Sequence, residues 1–296
     1  MVVGRSGLGK STLINTLFAS HMVEPKVPSG QTTEIVNTSS LIEENGVSLK
    51  LTITDTPGYG DMVNNDHCWT PVVQYIREQY SGTLASNSNI STAYLRKELT
   101  PQRERRIQDT RVHCILFFIA PTGHALTPLD IAVMRKLSEN CNVIPVIAKS
   151  DSLTMEERLA FKKRIKEEIE YHGIRVYPHA LDGEDAADLD PVDRSDRQMV
   201  NQIRDMIPFA VVGSEVNVVV DGKSVRGRKT RAGVINVENE THCEFVPLRN
   251  FLMRTHLQDM IETTSSIHYE NFRTRQLLAL KESNSMRPSA SSSSHQ

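Results

Sequence analysis

The sequence contains no uninterrupted apolar run of about 18 residues, the length a membrane-crossing helix needs, and no leader-peptide pattern. Only four cysteines occur among 296 residues, and none stands in a C-x-x-C pair. They point neither to a zinc site nor to a disulfide framework, so a reducing compartment, the cytosol, is expected. Net charge is only −2, so no overall basic field draws the chain to nucleic acid, which is not expected as a partner. The C-terminal part shows no heptads, and no coiled coil is expected there. With 39% hydrophobic and 24% charged residues, the composition suits one large globular domain or two small ones.

What is present begins at once. Residues 4–11 read GRSGLGKS and satisfy G-x-x-x-x-G-K-[ST] at every fixed position. Gly4, Gly7 and Gly9 let the backbone turn its N–H groups inward on a phosphate chain. Lys10 supplies a point charge to the β/γ-phosphates, and the Ser11 hydroxyl suits Mg2+. Met1–Val3 form an apolar stub before the loop, and residues from Thr12 to Phe18 have helical spacing after it. Strand, loop and helix are the setting that phosphate binding requires. The chain starts only three residues before this loop, although such a strand normally lies mid-sheet, so a preceding N-terminal segment is expected.

Further along, residues 24–33 read as a polar loop. Residues 35–43 and 47–54 read as strands joined at Asn45-Gly46. A helix is expected over 71–80, and a Ser/Asn-rich flexible insertion over 81–93. The runs at 112–120 and 142–148 are apolar throughout, as for strands buried on both faces. Helical patterns follow at 128–139 and 155–172. Alternating strands and helices give an α/β doubly wound, mostly parallel sheet, with the ligand at the strands' C-terminal edge. Residues 182–196 read as an acidic surface loop. Residues 207–238 read as β-rich, with turns at Asp221-Gly222 and Gly227. Residues 245–272 read as one long helix, and the Ser-rich tail from 283 to 296 as disordered.

Two further motifs refine the ligand. Asp55-x-x-Gly58 ends a strand: the carboxylate can hold Mg2+ through water, and the Gly58 N–H can sense a γ-phosphate. Ala148-Lys149-Ser150-Asp151 follows the next apolar strand. The Asp151 carboxylate can accept both donors of guanine's N1/N2 edge, whereas adenine offers an acceptor there and would leave it unpaired, costing about 1–3 kcal/mol. The Lys149 stem can lie across the base. The ligand is therefore GTP or GDP rather than ATP. Thr32 and Thr33 lie in the polar loop; by composition alone either is an ordinary loop threonine or a Mg2+ ligand. Tyr59 stands where many fast-switching GTPases carry a water-orienting glutamine, which argues for slow hydrolysis or another water-positioning device.

From residue 1 to about 281 the chain resembles the septin family. DTPGYGD (55–61), RVHCILFFIAPTGHALTPLDI (111–131), VIPVIAKSDSLT (143–154), IPFAVVGS (207–214), VRGRKTRAG (225–233), INVEN (235–239) and the helix 248–273 are similar to septin signatures, in the family's order. Within the family, the stretch before strand 112–120, the RGRKTR segment and the short tail most resemble a fungal cell-division-control member. That member lacks a coiled coil and sits centrally in a hetero-octamer. The resemblance implies a P-loop GTPase domain over 1–274, with 238–273 as a family-specific C-terminal element after a β-meander.

It also implies residue roles. Thr32 matches the switch threonine of hydrolysis-competent septins, giving it catalytic and metal roles beside Lys10 and Gly58. Gly213 and Arg228 would complete the guanine pocket. His124, by itself a turn histidine, would approach the neighbouring subunit's nucleotide. Implied partners are other septins, through a G interface around the nucleotide and an NC interface of terminal helices, giving filaments or rings at the division site or bud neck. Anionic lipids stay open as a further partner. Arg103, Arg105, Arg106, Lys162, Lys163, Arg164 and Lys166 could contribute, or form two solvated helix faces. This chain departs from the family at Ala232, where a tryptophan is common, which is expected to weaken or remodel the G interface, and at Ser150, where alanine is frequent. The alternatives are a nucleotide-locked structural subunit without hydrolysis and a monomeric signalling switch.

Overall fold

The apolar runs form the centre of a six-stranded sheet in a computed structural model of the chain, which describes residues 1–17, 33–44, 47–61, 65–82, 109–178, 203–220, 222–230 and 233–285. In chain order the elements are β1 (Val2–Gly4), α1 (Lys10–Leu17), β2 (Val36–Glu44), β3 (Val47–Asp55), α2 (Thr70–Gly82), β4 (Cys114–Ile119), α3 (Pro128–Ser138), β5 (Asn142–Ile147), α4 (Met155–Tyr171) and β6 (Phe209–Ala210). The strands lie in the order β2-β3-β1-β4-β5-β6. Among the described strands of this sheet only β2 runs antiparallel to its neighbour, with Glu44 in register with Val47; the turn expected at Asn45-Gly46 lies outside the described residues. The doubly wound, mostly parallel α/β sheet is therefore as the alternation of motifs indicates.

Strand β4 shows why both faces are buried. Ile115, Phe117 and Ile119 point into one core with Ile76 of α2, Val133 and Leu137 of α3, and Phe161 of α4. Leu116 and Phe118 point the other way, onto Leu13 and Ile14 of α1 and onto Phe245 and Leu248. Helix starts are set locally. Thr127 caps α3 by accepting from the Asp130 N–H, with Pro128 in the first turn. Thr154 and Glu157 form a reciprocal capping box at α4.

A second, antiparallel sheet comprises β7 (Asn217–Val220), β8 (Lys223–Thr230) and β9 (Gly233–Asn236). The turn expected at Gly227 is not there. Gly227 lies inside β8, where a Cβ would sit 2.1 Å from the Ile235 carbonyl oxygen, so the glycine permits close strand approach instead.

The expected single C-terminal helix is interrupted. It comprises α5 (Phe245–Asn250), a π-turn at Phe251–Thr255, α6 (Leu257–Thr263), a second π-turn at Thr264–Tyr269, and α7 (Glu270–Ser285). The first widening lets Phe251 and His256 stack in the core, ring centroids 4.7 Å apart, with His256 Nδ1 3.2 Å from the Tyr177 hydroxyl. At the second, a side chain from another element enters the helix ladder. Asn142 of β5 places Nδ2 3.2 Å from the Met260 carbonyl oxygen and 3.1 Å from Thr264 Oγ1, and Oδ1 3.1 Å from His268 Nε2. Because α7 reaches Ser285, residues 283–285 of the expected disordered tail are helical. The segment 182–196, residues 83–93 of the expected insertion and the tail from 286 lie outside the described residues, as do Thr32, Arg103, Arg105, Arg106, Asp221 and Ala232. Among the described residues, no helix is long and apolar enough to cross a membrane.

Two outcomes follow from these helix joints. Asn142→Ala removes the buried amide that bonds the His113 and Met260 carbonyls, Thr264 and His268, and urea denaturation should show a loss of about 1–3 kcal/mol. Burial lowers the pKa of His256 from its ordinary 6.5, with Asp259 opposing, so the folded state favours the neutral ring. Stability held above that pH is lost as pH falls through the lowered folded value. Thermal melts of the wild type should therefore decline on acidification below 6.5 more steeply than those of His256→Asn.

Candidate functional site

The loop between β1 and α1 leads directly into the first turn of α1, where the unpaired N–H groups of a helix start suit an anion. Gly7 and Gly9 adopt φ of +73° and +82°, which residues with a Cβ rarely do. Against this loop lies the segment after β3. Ser6 N donates to the Tyr59 carbonyl oxygen and Tyr59 N donates to the Gly4 carbonyl oxygen, each at 3.4 Å. A Cβ at Gly58 would fall 2.5 Å from Ser6 N, so only glycine lets the two loops touch.

Lys10 is buried in the concavity. Its ammonium donates to the carbonyl oxygens of Gly4 at 3.1 Å and Arg5 at 2.9 Å. Burial lowers its pKa, while Asp55 and Asp61 act in the opposite sense. Lys10 therefore braces the loop through the Gly4 and Arg5 carbonyls. The Ser11 hydroxyl donates to Asp55 Oδ2, and Asp55 Oδ1 is buried without a partner among the described residues. A hydroxyl and a carboxylate side by side, one oxygen unsatisfied, are the hard oxygen ligands Mg2+ takes, and they sit where phosphate would reach them. No group of three or more His, Cys, Asp or Glu side chains capable of holding a metal occurs among the described residues. Any Mg2+ would therefore depend on phosphate oxygens and water for its remaining ligands.

The base side of the cleft is built from three strand ends. Leu8, Gly9, Thr12, Lys149, Gly213 and Arg228 line it, over a floor that includes Phe118 and Val211. Lys149 is held in the left-handed region, at φ +47°, and Ser150 N donates to the Val211 carbonyl oxygen at 3.1 Å. That pairing swings the Asp151 carboxylate inward, where it is 4% exposed. Asp151 Oδ2 accepts from Arg228 Nε at 2.8 Å and also from its terminal nitrogen. Oδ1 is buried and unpartnered among the described residues. A carboxylate with one oxygen held and the other unpartnered among the described residues, bonded to Arg228 of the cleft lining, is matched by a ligand edge presenting N–H donors.

Of the residues singled out from sequence, Gly4, Gly7, Gly9, Lys10, Ser11, Thr12, Asp55, Gly58, Lys149, Asp151, Gly213 and Arg228 converge here. His124 does not: it is exposed in the bend between β4 and α3, whose carbonyl at Gly123 accepts from Arg164 at 3.0 Å. The reading of Lys162 as part of a solvated face is corrected. Lys162 is buried, with Nζ 2.7 and 2.8 Å from the two Glu244 oxygens. Sequence reasoning missed the buried carboxylate Asp130, which accepts from Arg5 Nε at 3.2 Å and the Tyr59 hydroxyl at 2.9 Å. The helix-start pattern Thr127-Pro128-x-Asp130 was the available signal, but capping alone accounts for it.

A family model described as Septin matches residues 1–286. The chain is 56% identical over 292 residues to the septin homolog spn2 of Schizosaccharomyces pombe, covering 97% of this chain and 82% of that protein. It is 50% identical over 303 residues to cell division control protein 10 of Saccharomyces cerevisiae, covering 100% and 88%. Among solved structures, that of Cdc11 from Saccharomyces cerevisiae aligns with a TM-score of 0.57 at 29% identity, covering 93% of this chain and 97% of the other.

Asp151→Asn replaces an acceptor oxygen with an amide donor. Fluorescent GDP titration should show binding weakened by about 1–3 kcal/mol, roughly five- to 150-fold, and an unchanged Kd would remove Asp151 from the base site.

Proposed function

The chain belongs to the septin family, and on that premise we propose that it is a guanine-nucleotide-binding cytoskeletal subunit. It assembles with other septins into filaments or rings that serve cytokinesis and septation, and it hydrolyses GTP slowly with Mg2+. The observation that carries this reading is Asp151: a buried carboxylate with one oxygen unpartnered among the described residues, two strands across the sheet from a phosphate loop with a buried lysine.

In this reading the backbone from Gly4 to Gly9, with Lys10, Ser11 and Thr12, binds the phosphates. Lys149, Asp151, Gly213 and Arg228 hold guanine, Arg228 also fixing the Asp151 carboxylate. Ser11, Asp55 and Thr32 hold Mg2+. Bound Mg2+ supplies charge neutralisation between the phosphates. Lys10 and the Gly58 N–H carry the corresponding stabilisation from the protein, at groups already oriented before reaction. The Tyr59 hydroxyl is bonded to Asp130 and is not aimed at an attacking water. This supports slow turnover, and equally a second reading in which the subunit is nucleotide-locked and does not hydrolyse.

Assembly uses a G interface around the nucleotide, with His124 reaching the neighbour's nucleotide, and an NC interface of the terminal helices. The subunit works in the cytoplasm and cytoskeleton, at the division site or bud-neck cortex. Anionic lipid contact falls to exposed basic residues such as Lys163, since Lys162 is occupied.

Nucleotide extracted from purified protein and resolved by HPLC tests base identity and turnover together. GDP or a GDP/GTP mixture is expected from the wild type, none from Lys10→Ala. Adenine nucleotide, or GDP retained by Lys10→Ala, would overturn the assignment. GTP alone, with no cleavage in a single-turnover assay, would favour the locked subunit.

A further inference from the structure

Asp130 joins two elements that the nucleotide reading treats separately. It sits in the first turn of α3, with its side chain 4% exposed. Its Oδ1 accepts from Arg5 Nε, inside the phosphate loop, and from the Tyr59 hydroxyl, directly after Gly58. Its Oδ2 accepts from Thr127 Oγ1 at 2.7 Å, and Thr127 Oγ1 is also reached by the Arg5 guanidinium. Tyr59 is buried beside Phe117, ring centroids 6.3 Å apart. The backbone adds an isolated parallel bridge between Arg5 and Tyr59. Gly58 is therefore clamped between the strand before it and a side chain anchored to α3, and it lies against Ser6 with no room for a Cβ.

In GTPases that switch, the segment after the aspartate-glycine motif is ordered by the γ-phosphate and released after hydrolysis. Here the protein supplies the order itself. We propose that Asp130 is a positioning residue that, through Tyr59 and Arg5, holds the Gly58 N–H in its γ-phosphate-competent place whatever nucleotide is bound. This inference rests on the guanine-nucleotide reading and deepens it.

The consequence is specific to the third phosphate. A ligand's apparent affinity falls by the fraction of protein in the competent state. With the latch intact that fraction is near one. Breaking the latch lets the Gly58 segment wander, so a ligand that contacts it must first reorder it. GDP makes no such contact and is spared.

Tyr59→Phe removes one hydroxyl and keeps the ring in its core position. Asp130→Asn removes the charge, and Arg5→Gln tests the loop side from a residue already one-third exposed. Equilibrium titrations with fluorescent GDP and GTPγS are run on the whole chain. Tyr59→Phe is expected to weaken GTPγS about tenfold while GDP stays within about twofold, with Arg5→Gln shifting the ratio in the same direction. The Tyr59→Phe/Asp130→Asn double variant should lose no more than the larger single loss, since both act through one contact. Losses that fall equally on both nucleotides, an unchanged ratio, or additive losses in the double variant would overturn the latch while leaving nucleotide binding standing. Failure of the wild type to bind either nucleotide would overturn the guanine reading and the latch with it. If Asp130→Asn does not fold, Tyr59→Phe and Arg5→Gln still decide, because an unchanged GTPγS/GDP ratio in both sinks the latch.

Discussion

Strand β1 is only three residues long, yet it is paired on both sides. Val2 is in register with Asp55 of β3 and with Leu116 of β4, and Gly4 with Phe118. These parallel pairings bring the ends of β3 and β4 to the same level as the start of the phosphate loop. Asp55 then stands beside Ser11, and Gly58 lies against Ser6. The next pairings, β4 with β5 and β5 with β6, carry the same edge onward to Lys149 and Val211. A slip of one residue in β1 would turn Val3 from one core to the other and separate the aspartate from the loop. The site's geometry is a consequence of sheet register more than of any single contact at the site.

Charge is handled at that edge by partial pairing. Among the described residues, Asp55 and Asp151 each have one oxygen held and one without a partner. A buried carboxylate left wholly unpaired would be costly, and one fully satisfied would have nothing to offer a ligand. Holding Oδ2 by Ser11 or Arg228 fixes direction, and the free Oδ1 is what an incoming Mg2+ or guanine edge would complete. Asp130 differs. Its oxygens are taken by Arg5, Tyr59 and Thr127, which suits a structural anchor rather than a ligand group.

The legible part of the chain was the part whose chemistry is local. The phosphate loop, Asp55, Gly58 and Asp151 announce themselves because turn, donor and acceptor lie within a few consecutive residues. The sheet was legible because strands buried on both faces read as apolar runs. What sequence did not disclose depends on distant partners. Lys162 has the look of a solvated residue in a basic run until Glu244, 82 positions away, is brought beside it. The C-terminal helix has helical periodicity throughout, and nothing local marks its second widening. That break comes from Asn142, a polar residue at the head of an otherwise apolar strand, reaching Met260 and Thr264 across more than a hundred residues. Gly227 reads as a turn because glycine in sequence carries both meanings. Only the 2.1 Å approach of the Ile235 carbonyl oxygen to its missing Cβ separates them.

Glu244 ties the base side of the cleft to the C-terminal helices. Its carboxylate takes Lys162 and also accepts from the Ala210 N–H at 2.6 Å, while its own N–H donates to the Ala210 carbonyl oxygen at 2.8 Å. Ala210 immediately precedes the segment that supplies Val211 and Gly213 to the cleft. Glu244 immediately precedes α5, the first helix of the C-terminal series. Arg158, also buried on α4, donates to the His242 carbonyl oxygen at 3.1 Å and secures the same junction. The strand that borders the cleft and the first of the C-terminal helices thus share backbone and side-chain bonds at one point. A displacement of the cleft at Val211 must either break those bonds or move the start of α5. Because separating the pair would leave the buried Lys162 ammonium without its carboxylate, moving together is the less costly response. Nucleotide contacts and the terminal helices are in this way parts of one mechanical unit, which is what a subunit needs if the face around its ligand and the face built from its helices are to be used in the same filament.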